Sequence, residues 1–224
     1  MSKLTISILF ICTTQAFAET EAQRLNTAAQ VLTDMTTSKD SSIPTDLLQK
    51  SHCAVVIPSL KKAGFIFSGK YGRGFASCRN SSGAWSAPAA MRVEGGGFGL
   101  QIGGEDVDIV MLVMSQKGMD GLLASKFTLG ADASVAAGPV GRDASAQTDA
   151  TLKADILSWS KSKGVFGGLA LQGGTLRVDN DGDKELYGRS VTGTDILTSK
   201  VQAPTSASAF LSALTRSGGT GRKG

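Results

Sequence analysis

The sequence predicts an α+β fold, mainly antiparallel, with a barrel-like β core among the forms it allows, an N-terminal amphipathic helix and short peripheral helices. Three observations carry this. Glycine is overused at 28 of 224 residues while aromatics reach only 6%, which suits β structure with close backbone approach better than a helix bundle. Between Glu21 and Thr36 the apolar residues recur at three and four positions, the period of a helix with one greasy face. From Cys53 onward, short apolar runs alternate with glycine and proline punctuation, the pattern of strands joined by turns.

The elements follow in order. Residues 1–18 carry a basic Lys3, an apolar run from Leu4 to Ile11 and the small-x-small ending Ala16-Phe17-Ala18, which reads as a secretory signal with a mature chain starting near Glu19. The run is too short to span a bilayer, which takes roughly 20 residues. Ile11 before Cys12 is too bulky for a lipidation signal. Residues 19–46 form an N-terminal helical segment in which Ala22, Leu25, Ala28, Ala29, Leu32 and Met35 share a side. That side is rich in alanine and lacks Trp or Phe, so it suits docking on the protein's own core better than insertion into lipid. Pro44 opens a second short helix over Thr45–Lys50. Residues 47–216 read as a single domain and 217–224 as a loose basic tail.

Within that domain Cys53–Ile57 is a strand that Pro58 ends, and β character resumes over Gly64–Phe67. Further strands are expected over Trp85–Val93, over the alternating Phe98–Ile102 and over Val107–Met114, apolar almost throughout and so buried on both faces. Ser115 caps a short helix that puts Met119, Leu122 and Leu123 on one side. Small and β-branched residues fill Phe127–Ala137, and a turn at Pro139, Gly141 and Asp143 precedes Ala144–Ala150. Strands over Ile156–Ser160, Val165–Leu171 and Thr175–Val178 are joined by Lys163-Gly164 and Gly173-Gly174. Helices over Asp195–Val201 and Ser208–Arg216 close the domain.

The chemical motifs are few. Gly64, Gly69 and Lys70 have the spacing of a phosphate loop, but Tyr71 stands where Ser or Thr is needed and Gly72 and Gly74 oppose the helix that must follow. His52 is the single histidine, and it cannot complete a four-ligand zinc site with Cys53 and Cys78. Two S-x-x-K matches, Ser59 with Lys62 and Ser158 with Lys161, lack the companion motifs of serine acyl enzymes. Asp179-Asn180-Asp181-Gly182-Asp183 departs from a calcium loop, with Lys184 where glycine is needed and Ser190 where the closing Glu is needed, and reads as an acidic hairpin turn. No enzyme, metal or cofactor is therefore expected.

Removal of the signal leaves 22 basic and 19 acidic residues, a net +3, too modest to imply nucleic acid. It also leaves two cysteines, Cys53 and Cys78. In an oxidising compartment the pair reads most simply as one disulfide, against the alternative of two buried free thiols. Lys61, Lys62, Lys70, Arg73 and Arg79 lie close in sequence, and Lys161 and Lys163 flank a second glycine turn. These could meet phosphate head groups or be ordinary solvated charge.

KAGFIFSGKYGRG, WSAPAAMRVEGGGFGLQIGGEDVDIVMLVM, SKFTLGADASVAAGPVGRDA and ILSWSKSKGVFGGLALQGGTL, in that order, resemble the SYLF domain family over roughly Leu47–Val191. The resemblance implies binding of phosphoinositides and other anionic lipids, as in eukaryotic members, where the domain is often joined to SH3 or FYVE modules. In yeast members it also implies actin. With its signal and no appended module this chain is similar to secreted bacterial members, which implies a periplasmic or secreted protein whose partner is an anionic membrane lipid met at the membrane surface. The positions the resemblance carries over are Lys62, Lys70, Lys126, Arg142, Lys161 and Lys163, with Arg73 beside Lys70. Lys126 and Arg142 could instead pair with Asp132 or Asp143. The alternative function is a structural or protein-interaction module of the envelope without lipid specificity.

Overall fold

The computed structural model describes residues 19–38, 42–64, 67–98, 103–124, 126–140, 153–162, 165–168 and 173–218. Helix α1 (Glu21–Thr37) begins with a capping box: the Thr20 hydroxyl accepts from the Gln23 amide at 3.2 Å and the Gln23 side chain accepts from the Thr20 amide at 2.9 Å. Two orphan donors are thus met locally. Its buried Leu25, Ala28, Ala29, Leu32 and Met35 dock on the sheet, as the alanine-rich face predicts. Helix α2 (Thr45–Lys50) follows Pro44.

Nine strands then form one curled, half-barrel sheet: β1 (Cys53–Gly64), β2 (Phe67–Cys78), β3 (Ala89–Phe98), β4 (Gly103–Val113), β5 (Phe127–Thr128), β6 (Val135–Ala137), β7 (Ile156–Ser162), β8 (Val165–Gly168) and β9 (Thr175–Val178). Their order is β5-β9-β3-β2-β1-β4-β7-β6, with β8 beside β7, and among these strands only β6 and β7 pair in parallel. Helix α3 (Gln116–Leu123) starts at the Ser115 cap, and α4 (Asn180–Tyr187), α5 (Gly193–Leu197) and α6 (Ser208–Gly218) follow the last strand.

The sheet is greasy on both faces, so it carries two cores. On the first face Val55, Ile57, Met91, Val93, Ile109 and Met111 pack with residues of α3 and α5. On the second, Val56, Phe75, Ala90, Val110, Leu112 and Trp159 pack under α1, α2 and α6. The continuous apolar run in β4 exists because alternate residues serve opposite cores. Cys53 and Cys78 are direct partners on β1 and β2, both fully buried, and their sulfurs are bonded at 2.07 Å.

Four local expectations are corrected. Pro58 does not end β1: the strand passes it through a bulge, with register shifts on both sides and Ser59 at φ 50°. A bulge is where a strand tolerates proline. Trp85 makes only an isolated bridge to Arg79, and β3 starts at Ala89. Asp179–Asp183 is not a hairpin turn but the start of α4, with the Asp179 side chain accepting from the Gly182 amide at 3.3 Å. The aspartates that favour turns also favour helix N-termini. The last helix also runs into the expected tail, through Ser217 and Gly218. The signal segment, residues 99–102 of the alternating run, Ala144–Ala150, Arg142, Lys163 and residues 219–224 lie outside the described residues.

Candidate functional site

The bulge dictates one glycine of the GKYGRG stretch. A Cβ on Gly74 would lie 2.0 Å from the Val56 carbonyl oxygen, so only glycine lets β2 approach β1 there. Beyond the bulge the four central strands run out into a glycine band. Across β3, β2, β1 and β4 one lateral row reads Gly96, Gly69, Ala63, Gly104 and the next Gly97, Ser68, Gly64, Gly103.

At the inner margin of this band lies the row Gly95, Lys70, Lys62, Glu105. Lys62 and Lys70 are direct cross-strand partners and therefore share a face. It is the first face, because a Cβ on Gly72, two residues from Lys70, would meet Ile57 and Leu60 of that core. The Lys70 stem lies flat over Gly95, where a Cβ would come within 2.5 Å of its Cε, and its Nζ reaches toward Gly174. Burial, and then the charge of Lys62, lower the Lys70 pKa. Two like charges directly opposite on adjacent strands are unfavourable to each other.

The other predicted cations among the described residues do not join this pair. Arg73 is on the second face, two residues from Phe75. Its Nε donates to Asp179 at 2.6 Å and its Nη2 lies 2.7 Å from Glu21. Burial would lower the Arg73 pKa, but Asp179 and Glu21 together outweigh it and raise it. Glu21 also pairs with Arg24, and its amide donates to Glu185 at 2.9 Å. Arg73 thus ties α1, β2 and the start of α4 together and is an internal ion-pair residue. Lys161 also faces the helices, 3.0 Å from Asp34 of α1. Lys126 is exposed in the link between α3 and β5, while Asp132 accepts from the Thr128 amide at 2.6 Å. Arg79 donates to the carbonyls of Gly83 and Gly218, both at 2.8 Å, and sits 4.0 Å from the Trp85 ring centroid, a clamp on the end of α6.

Sequence reasoning missed the acidic side of this network. Glu21, Asp179 and Asp183 are all almost fully buried. Asp183 Oδ1 accepts from the Ala90 amide at 2.7 Å, whereas Oδ2 is buried without a hydrogen-bond partner. Burial first, then the charges of Asp179 and Glu21, push its pKa up to about 7. Burial and then Asp183 push the Tyr187 phenol up in turn. No local signal marks these residues, because the partners come from segments far apart in the chain. Elsewhere an open groove of about 670 Å³ runs between α1 and α6, lined by Asn26, Gln30, Thr33, Asp34, Ser212 and Arg216 among others. No helix among the described residues is long and apolar enough to cross a membrane.

A family model described as Ysc84, Las17-binding protein actin regulator, matches residues 94–217. This chain belongs to the Ysc84 (SYLF) family. The Ysc84 match begins within β3, at Glu94, and ends in α6. Relatives extend the similarity toward the N-terminus. An SH3 domain-containing protein of Schizosaccharomyces pombe is 38% identical over 168 residues, 74% of this chain and 39% of its own length. Protein YSC84 of Saccharomyces cerevisiae is 35% identical over 177 residues, 77% of this chain and 37% of its own length. SH3 domain-containing YSC84-like protein 1 of Mus musculus is 31% identical over 186 residues, 80% of this chain and 54% of its own length. The Ysc84 domain here thus spans well under two thirds of each of these relatives.

Proposed function

We propose that this Ysc84-family chain is a non-enzymatic binder of anionic phospholipid that meets the membrane with the glycine-rich end of its sheet. The observation that carries the reading is the Lys62–Lys70 pair, two direct cross-strand partners at the margin of a band with almost no side chains. A bare backbone band lets a flat surface approach closely, and the two ammonium groups sit where a phosphate could bridge them. Each basic residue near an anionic surface contributes about 1 kcal/mol. The proposed setting is outside the cytoplasm, at the surface of an envelope membrane. The Cys53–Cys78 bond in the core supports an oxidising compartment.

The second reading is a protein-interaction module without lipid specificity, favoured by the family's description as Las17-binding and actin-regulating. Flotation of the purified protein with vesicles separates the two. Enrichment on phosphatidylglycerol or cardiolipin vesicles over phosphatidylcholine supports lipid binding. Equal behaviour on all three, with a protein partner copurifying, selects the alternative.

A further inference from the structure

A second cationic feature lies on the other face of the sheet, and the lysine pair does not account for it. Arg73, Arg92 and Arg177 are successive lateral partners on β2, β3 and β9. They share the second face, because Arg73 and Arg92 are each two residues from the partners Phe75 and Ala90 of the helix-covered core. Three guanidinium groups in direct register repel one another, and a sheet keeps such a row only where counter-charge is supplied.

Arg73 has its counter-charge in Glu21 and Asp179. Arg92 and Arg177 divide one carboxylate between them: Glu94 Oε1 lies 3.1 Å from Arg92 Nε and Oε2 lies 3.4 Å from Arg177 Nη2. Among the described residues neither has another acidic partner within ion-pair distance, so one positive charge is left over. The Nε atoms of both are buried without a hydrogen-bond acceptor in good alignment. The side chains are 32% and 33% exposed, so their outer edges remain reachable from solvent. Adjacent strands lie about 4.8 Å apart, which sets two planar donor forks side by side. A second carboxylate would leave donors over, whereas a tetrahedral oxyanion has oxygens for both forks, and arginine is the residue suited to that recognition.

We propose that Arg92 and Arg177 form a binding site for a phosphate-class oxyanion, with Glu94 as the internal competitor that holds the two guanidinium groups in its absence. The site is separate from the lysine pair and does not rest on lipid binding there. Free phosphate and a phosphomonoester lipid head group present the same chemistry.

The test is calorimetric titration of the purified protein with inorganic phosphate, and flotation with vesicles of phosphatidic acid in phosphatidylcholine. Replacing both arginines, Arg92→Gln with Arg177→Gln, is expected to weaken phosphate binding by about tenfold or more, the size of a lost charge-assisted hydrogen bond. Glu94→Gln is expected to tighten it, and Lys50→Ala, on the exposed surface of α2, to leave it unchanged. If the double glutamine variant does not fold, Glu94→Gln alone decides, since a purely structural Glu94 gives no gain in phosphate affinity. Phosphate binding without vesicle enrichment assigns a soluble ligand. Enrichment that inorganic phosphate competes away assigns the head group. No binding to wild type or to Glu94→Gln, or binding indifferent to the arginines, overturns the proposal.

Discussion

Replacing Asp183 with asparagine should make the protein more stable at neutral and alkaline pH, with a gain that shrinks through mild acid and vanishes below about pH 4. The carboxyl is fully buried, faces Glu21 of α1 and Asp179 ahead of α4, lies one turn from Tyr187, and shares its surroundings with the Arg73 guanidinium from β2. In the folded protein its pKa is raised from 3.8 to about 7. Between these two values the native state holds a proton that the unfolded chain has released. Stability therefore falls as pH rises through that window, by up to about 1.4 kcal/mol per pH unit and about 4 kcal/mol in all. Asparagine keeps an oxygen for the Ala90 amide and carries no charge. Urea unfolding at pH 5 and pH 8 should show the variant gaining about 4 kcal/mol over wild type at pH 8 and about 1.5 kcal/mol at pH 5. A wild type whose stability is flat between these pH values, or a variant destabilised equally at both, would refute the argument that a buried, uncompensated carboxylate is being ionised.

Other outcomes follow from the same structure. Arg73→Met leaves Asp179 buried without its cation and Glu21 with Arg24 alone and should cost about 3–5 kcal/mol in chemical denaturation, while Lys61→Met, at an exposed lysine on the same face of the sheet, should cost under about 0.5 kcal/mol. Gly74→Ala drives a Cβ into the Val56 carbonyl and should cost on the order of 3 kcal/mol or prevent folding, read from the melting temperature. Replacing both cysteines with alanine opens a link across 25 residues and should lower stability by about 3 kcal/mol. Added reductant should then shift the wild type but not the variant.

The parts of this fold that could be read from sequence are those whose cause is local. The apolar period of α1, the Ser115 cap, the apolar run of β4 and the strand expected over Ile156–Ser160 each carry their own signal. What escaped depends on partners that only the folded chain brings together. Pro58 looks like a strand terminator until β4 supplies Asp108, whose side chain accepts from the Ser59 amide at 3.0 Å in the bulge. Arg73 looks like a surface cation beside Lys70, but strand alternation sends the two side chains to opposite faces. Its acids come from residues 21 and 179. The same alternation separates Lys62 and Lys70 from Lys161, a division that a list of basic positions cannot express. The glycines of KAGFIFSGKYGRG likewise have two purposes: Gly74 admits β2 against the bulge, and Gly69 belongs to the bare band beside Lys62 and Lys70.

The central claim is that Lys62 and Lys70 carry attachment to anionic membranes. It is tested most directly by flotation of wild type and of the Lys62→Ala, Lys70→Ala double variant with phosphatidylglycerol vesicles at low and high salt. Two contacts of about 1 kcal/mol each amount to about 30-fold in partitioning. Wild-type enrichment that falls by roughly this factor in the folded double variant, and fades in high salt, is the predicted result. Enrichment unchanged by the double substitution, or absent from the wild type at low salt, would contradict the account.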